Sequence, residues 1–367
     1  MIFILRKIIS NVIAVINSVV ILLMIITGYS GYANPESFPF VSTWSLVFPF
    51  FLLANIVFIL LWLFINKKKM LLPLAGLLLC IGPIRSYCPL NIPKSTPDDA
   101  IKILTYNTWS FGHLTDEDFP DIPILKYIKD CDADIVCLQE SAKTSIAIDS
   151  VKSTLSQYDY VGTLDDGEPA DNDLIVFSKY PIKKKYTIPI ESKGNSACAF
   201  WLDINGEEVI LINVHLESYN LSKEDKDGYV DMLKDIKDRN IDKDSIKSES
   251  LFLSRKLSAV NAIRAKQTHV LLDFIKKNKD ANIILCGDFN DNPLSYTNHL
   301  LGEELTNCYV SSGNGPGWSF NEKGFNFRID NIYCSKNLQA YGAKVDNEAT
   351  GSDHYPLYCW LKKKQKQ

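Results

Sequence analysis

The chain has 367 residues, 46% of them hydrophobic, and a formal net charge of -4. That length exceeds an ordinary single domain, and the near-balanced charge excludes a global basic field for gripping nucleic acid, leaving only local patches for that task. The 9 cysteines show no metal-finger spacing, so Cys137 and Cys286, which lie in apolar strand-like runs, are expected to be ordinary buried thiols.

Apolar residues are unevenly spread along the chain. Ile8 to Ile26 is long and apolar enough to span a bilayer, and Arg6 and Lys7 stand just before it. A cleaved signal peptide ending near Ala33 is the competing reading. A second long apolar segment, Val41 to Ile65, favours an anchored protein instead. Lys67, Lys68 and Lys69 follow that segment directly. A third run, Met70 to Ile84, is shorter and interrupted by Pro73, Gly76 and Pro83, which leaves open whether it spans, dips into the membrane or lies on its surface. Residues 1–87 therefore read as a multi-pass membrane region with two or three transmembrane helices. The positive-inside rule puts Arg6, Lys7 and the lysine triplet in the cytoplasm. If the third run spans, everything after it is extracytoplasmic, which is the preferred reading, although a thiol-rich core argues mildly for the cytoplasm, because oxidising compartments favour paired cysteines. Residues 88–99, rich in proline and small polar side chains, read as a linker.

Residues 100–362 have the mixed composition of a soluble globular domain. Ile101 to Asn107 alternates, with Ile103, Thr105 and Asn107 on one face. Asp121 to Lys129 has helical spacing, and Ala133 to Glu140 forms a buried strand ending in Gln139 and Glu140. Leu174 to Phe177 and Val209 to Leu216 supply further strands, the second placing Asn213, His215 and Glu217 on one face. A lysine- and aspartate-rich stretch at 218–254 reads as a solvated helical insertion or a cap, with no catalytic residue. Leu257 to Lys276 has the apolar spacing of an amphipathic helix, on which Arg264 and Gln267 are expected to face solvent. Asn282 to Asp288 is a short buried strand that delivers Asp288 and Asn290 to one side while Phe289 turns back to the core. Gly313, Gly315 and Gly317 mark an irregular loop holding Trp318, without the spacing of a dinucleotide fingerprint. The last strands are Phe327 to Tyr333, carrying Arg328 and Asp330, and Leu357 to Leu361. A turn before Pro356 lets Asp353 and His354 approach one site.

Asn107, Glu140, His215, Asp288, Asn290 and Asp330 thus fall at or near strand ends, with Asp353 and His354 in a turn. Many polar strand ends together predict a rim where loops meet above a sheet. No serine or cysteine is placed as a nucleophile. Carboxylates suit a hard cation such as Mg2+, and two histidines suit proton transfer, which fits hydrolysis of a phosphate ester by activated water.

The series Thr-Tyr-Asn107, Leu-Gln-Glu140, Asn-Val-His215-Leu, Gly-Asp288-Phe-Asn290, Arg-Ile-Asp330-Asn and Ser-Asp353-His354 resembles the endonuclease/exonuclease/phosphatase superfamily, in order and from Ile101 to Leu361. The resemblance implies a four-layered α/β sandwich (DNase I-like), following the N-terminal helical membrane region, with two facing mixed sheets and the site at one edge. It implies a bacterial inner-membrane member that depends on Mg2+, with Mn2+ as a substitute. Glu140 is then the principal metal ligand, with Asn107 and Asp353 in the metal region. Asp288 orients and helps deprotonate water, Asn290 holds the phosphate or the water in line, Asp330 pairs with His354, and His215 contacts a phosphate oxygen or protonates the leaving group. Asn172 is a minor substrate-binding candidate on a looser match.

The expected function is a membrane-anchored phosphodiesterase or phosphomonoesterase. Tethering to a bilayer favours a phospholipid or small phosphoester. An endo- or exonuclease acting on DNA or RNA is the alternative. A non-catalytic membrane-attached binding protein is the second alternative, set against the competent residue at every catalytic-type position.

Overall fold

The computed structural model describes residues 2–112, 121–141, 148–164, 174–192, 194–219, 243–322 and 325–364. By packing, the chain forms two units. One comprises Met1–Tyr87, Asn220–Ala262 and Leu294–His299, and the other Cys88–Tyr219, Ile263–Pro293 and Leu300–Gln367.

In the first unit, Ile4–Tyr32 and Val41–Ile65 are long and apolar enough to cross a membrane. The third apolar run is a bent pair, Lys67–Leu79 and Ile81–Tyr87, at 64° to each other. Pro83 accounts for the bend, because it has no N–H for the carbonyl four residues back, at Leu79. That carbonyl instead accepts the Tyr29 hydroxyl at 2.7 Å. The three segments lie side by side. Lys69 Nζ donates to the Ser10 carbonyl at 2.9 Å and to Asn11 Oδ1 at 2.8 Å. Further along, a Cβ on Gly76 would come within 2.9 Å of Ile21, so glycine permits that close approach. Buried polar groups tie the two long helices together, with Trp62 Nε1 donating to Asn17 Oδ1 at 3.0 Å and Asn17 Nδ2 to Asn55 Oδ1 at 3.4 Å. At the other end Met24, Phe48 and Cys80 form an apolar cluster that also takes in Leu294. The same unit holds the ring of Tyr32 3.8 Å from that of His299 and a 2.8 Å hydrogen bond from Asn261 Nδ2 to Ser42 Oγ.

The second unit is built on strands β1 (Ile101–Asn107), β2 (Ile135–Gln139), β3 (Tyr160–Thr163), β4 (Ile175–Ser178), β5 (Ile182–Thr187), β6 (Ala197–Ile204), β7 (Glu207–His215), β8 (Asn282–Asp288), β9 (Thr306–Asn307), β10 (Phe320–Glu322), β11 (Phe325–Phe327), β12 (Asp330–Cys334), β13 (Leu338–Val345) and β14 (Leu357–Lys363). They form two six-stranded mixed sheets, ordered β13-β14-β1-β2-β4-β3 and β5-β6-β7-β8-β12-β9, and a β10–β11 hairpin. Apolar side chains from both sheets meet in one core, including Ile103, Cys137, Val176, Phe200, Leu211, Ile284, Cys286, Ile332 and Cys359. The outer face of the first sheet packs on the helix Pro123–Cys131 through Ile124, Leu125 and Ile128. The outer face of the second packs on the helix Lys243–Lys277 through Leu271, Leu272 and Ile275. Helix, sheet, sheet and helix make the four-layered sandwich. All 9 cysteines are free, and Cys137 and Cys286 are buried, as their apolar settings predict.

Three expectations from sequence are revised. The helix expected from Leu257 already begins at Lys243, inside the charged stretch, of which residues 220–242 lie outside the described residues. Arg264 and Gln267 are buried instead of facing solvent, because their side chains end on backbone groups of neighbouring loops. The strand expected over Phe327–Tyr333 is broken at Arg328 and Ile329. There the Arg328 guanidinium donates to the Pro316 carbonyl at 2.6 Å and lies 4.6 Å over the Tyr309 ring, and the Ile329 and Asp330 N–H groups donate to Ser319 Oγ instead of to a strand.

Candidate active site

Register explains why so many polar groups meet at one edge. In the second sheet His215 lies opposite Asp288 across the parallel β7–β8 pair, and Asp330 opposite Asp288 across the antiparallel β12–β8 pair. In the first sheet Asn107 is level with Gln139, the residue before Glu140. Gly287 is required on β8, since its φ is 141° and a Cβ there would meet the Val214 carbonyl oxygen at 1.9 Å. Two site residues leave the extended region altogether. Glu140 and Asn290 have φ of 52° and 51°, a left-handed turn that aims each side chain off its strand.

The side chains form a connected chain across the two sheets. Asn107 Nδ2 donates to Glu140 Oε1 at 3.1 Å and to Asp288 Oδ2 at 3.0 Å. The other Asp288 oxygen accepts the Asn290 N–H at 2.8 Å. His354 Nε2 stands 3.7 Å from Asp288 Oδ2, and His354 Nδ1 is 2.9 Å from Asp330 Oδ2. His215 Nε2 lies 3.7 Å from both Glu140 Oε1 and Asp288 Oδ2, and neither of its ring nitrogens has a hydrogen-bond partner among the described residues. Asn290 Nδ2 donates to the Leu216 carbonyl at 3.0 Å. Asp353 is half-buried beside His354, and its own carbonyl accepts the Asn321 N–H at 2.9 Å. Asn172 lies outside the described residues.

Burial sets the electrostatics. It is the largest influence on Asp288 and, with the Asp330 charge, raises that carboxyl to about 6 against the opposing pull of His354 and His215. For His354 burial disfavours the charged ring, but Asp330 and Asp288 outweigh it and hold the imidazole at about 10. Asp353 is raised by burial and, more weakly, by Glu140, against the lowering effect of His354.

Asp288, Asp330 and His354 present ligand atoms within 4.8 Å of one another, which is compact enough for a metal ion. Yet a charged imidazole has no lone pair to give, and its Nδ1 is engaged by Asp330. Glu140 fits a hard cation better. Its side chain is 29% exposed, only Asn107 among the described residues donates to it, and Asp353 adds a second acid whose ionisation it opposes.

Several supporting residues had no role assigned from sequence. Ser352 Oγ donates to the Asn107 carbonyl at 2.8 Å and accepts the His354 N–H at 3.1 Å. Beneath the site, Gln139 Nε2 donates to Asn213 Oδ1 at 2.7 Å, a buried polar link between the two sheets. Gln139 directly precedes Glu140, and Asn213 shares a strand face with His215 two residues on, the signals in the sequence that mark them.

Among the described residues no serine or cysteine is placed to attack, and the oxygen donors of the centre suit activation of water beside a divalent cation: the class is the metal-dependent phosphoric ester hydrolases. The particular family follows from residues 104–354, which match the model described as Endonuclease/Exonuclease/phosphatase family, and the chain belongs to it. Residues 7–87 match a model described as Domain of unknown function (DUF8431). Among solved structures, D. rerio TDP2 humanized by 14 mutations is 16% identical with a TM-score of 0.51, covering 72% of this chain and 99% of that one. The human Nocturnin catalytic domain with bound sulfate anion is 18% identical with a TM-score of 0.51, covering 72% and 94%. An endonuclease/exonuclease/phosphatase from Beutenbergia cavernae is 15% identical with a TM-score of 0.51, covering 72% of each chain. At these identities the likeness shows a shared fold. No curated protein matches significantly.

Proposed function

We propose that this protein is a membrane-anchored, Mg2+-dependent phosphoesterase, with a phospholipid headgroup or small phosphoester favoured as substrate. The observation that carries the reading is the linked series Glu140, Asn107, Asp288, His354 and Asp330, with His215 beside it. Mg2+, or Mn2+ in its place, would be held by Glu140 with Asn107 and Asp353 nearby, and when bound supplies positive charge against the phosphoryl oxygens. Asp288 orients the attacking water and takes its proton, for which a carboxyl raised to about 6 is well suited near neutral pH. Asn290, whose Nδ2 is engaged by the Leu216 carbonyl, holds that water in line through its Oδ1. Asp330 fixes the His354 tautomer and supports its positive charge, which faces the negative charge developing on the phosphoryl oxygens. His215, with both ring nitrogens uncommitted, donates to a phosphate oxygen or to the departing oxygen.

The location we propose is the inner membrane of a bacterium, in three passes, with the catalytic unit extracytoplasmic. The support is the order of contacts along the first helix. Lys69 meets it at Ser10, Gly76 at Ile21 and Leu79 at Tyr29, so the third segment runs from the lysine-rich end back to the Tyr29 end before the chain reaches Tyr87. That Tyr29 end carries exposed Tyr32, Phe38, Phe40 and Trp44, the aromatic composition of a membrane interface.

Nucleic acid is the second reading. A D. rerio TDP2 structure, 16% identical at a TM-score of 0.50, is described in complex with single strand DNA product. The deciding experiment is Mg2+-dependent turnover by the full chain in lipid nanodiscs, on bis-p-nitrophenyl phosphate, sphingomyelin, phosphatidylinositol, inositol phosphates and single-stranded DNA. Hydrolysis removed by EDTA, by Glu140→Gln and by His354→Ala, each by roughly 10²–10⁴-fold, is expected. Preference for DNA would make it a nuclease, and no turnover on any of them by the folded protein would make it a binding protein.

A further inference from the structure

Arg264 is one of the largest fully buried side chains in the catalytic unit, and nothing in the chemistry above uses it. It sits on the helix Lys243–Lys277, and its Nη1 is shared between two carbonyls, those of Glu217 at 3.3 Å and of Asn290. Glu217 follows the strand that carries His215, and Asn290 follows the strand that carries Asp288. One guanidinium therefore ties together the exits of β7 and β8. Its charge is met by Asp291 at 3.6 Å and by the Tyr219 ring, 4.1 Å beneath it. One turn along the helix, Gln267 repeats the connection, accepting the Glu217 N–H and donating to the Glu191 carbonyl, both at 2.9 Å.

We propose that Arg264 is a positioning residue for hydrolysis: it locks the left-handed turn at Asn290 and so aims the Asp288 carboxylate. The proposal rests on the water-orienting roles given to Asp288 and Asn290 above. The geometry is over-determined at that turn. The Asn290 N–H holds Asp288 Oδ1, its side-chain amide holds the Leu216 carbonyl, and its own carbonyl is held by Arg264. Removing the third restraint frees the peptide that follows Asn290, which lets the φ and ψ of Asn290 relax, and the preceding peptide, whose N–H is the first restraint, carries that change to Asp288. A lysine cannot substitute, because one ammonium cannot at once donate to both carbonyls, meet Asp291 with a second nitrogen and lie flat on the Tyr219 ring.

The test compares Arg264→Lys, Arg264→Gln and Arg264→Ala with Leu271→Ala, a core change on the same helix remote from the turn, all in the full chain in nanodiscs with Mg2+. Both Arg264→Lys and Arg264→Gln should lower kcat on bis-p-nitrophenyl phosphate by about 10–100-fold, with KM within about twofold. Added guanidinium should restore kcat of Arg264→Ala saturably, and Leu271→Ala should lose melting temperature while keeping kcat. Hydrogen exchange provides a readout that does not need turnover: the amides of residues 289–292 should lose protection in Arg264→Gln while those of β8 keep theirs. A kcat that simply follows melting temperature in all variants, or unchanged protection over 289–292, overturns the proposal. If the unmodified protein hydrolyses nothing yet Arg264→Gln loosens 289–292 alone, the assigned reaction fails and the positioning of that turn by Arg264 stands.

Discussion

Burial works against a charged imidazole at position 354, and two acids reverse that balance, Asp330 at 2.9 Å from Nδ1 and Asp288 at 3.7 Å from Nε2. The folded ring titrates near 10, against an ordinary value of 6.5. A histidine raised in this way contributes stability that is complete below the unfolded value and disappears as pH climbs through the folded one. The metal-free chain in EDTA should therefore lose melting temperature between about pH 6.5 and pH 10, and His354→Gln should flatten that loss. Asp288 acts in a separate window, because a carboxyl raised to about 6 from 3.8 weakens the fold as pH rises between those two values. A melting curve of His354→Gln with the same alkaline slope as the parent would contradict the assignment of charge to this ring.

Between the sheets the decisive pair is Gln139 on β2 and Asn213 on β7, a buried polar bridge at 2.7 Å that Thr105 on β1 extends by accepting from Gln139 Nε2 at 3.1 Å. Asn213 Nδ2 also donates to the Leu138 carbonyl at 3.1 Å. Asn213→Ala leaves these buried groups short of partners, and should cost about 1–3 kcal/mol in urea unfolding with an unchanged m-value. The strands themselves are legible in the sequence because alternation is a local signal, as in Ile103, Thr105 and Asn107 on β1, whereas Asn290, past the end of β8, reaches the site through its left-handed turn and not through alternation. The bend after Leu79 was foreshadowed by Pro83. Arg264, Gln267, Ser319 and Ser352 were not legible, because each acts on backbone groups that are distant in sequence. Periodicity reports which face a residue occupies, not which distant carbonyl waits there. Arg328 misled for the same reason, looking like a strand residue while its guanidinium was committed to Pro316.

At the scale of the whole chain, the lysines and the order of helix contacts within residues 1–87 bear on the topology proposed above. Lysines gather at the Ser10 end and aromatic residues at the Tyr29 end, and the third segment returns to the latter. Leu90 lies just past the helix Ile81–Tyr87 and is 85% exposed, which makes it a reporter of the sidedness proposed above. In sealed right-side-out vesicles, Leu90→Cys should react with an impermeant maleimide above the background of the parent chain. Reaction only after permeabilisation would put the catalytic unit in the cytoplasm.

The apolar cluster of Met24, Phe48 and Cys80 has one more consequence, which concerns time. Its fourth member, Leu294, is synthesised long after the other three. At about 5–20 residues per second, roughly 10–40 s of translation separate Cys80 from Leu294. During that interval the cluster lacks its Leu294 contact, which forms only after the strands up to β8 have been synthesised. A nascent chain stalled before Leu294 should be more readily cleaved by protease in the Ser30–Val47 loop than one stalled beyond His299.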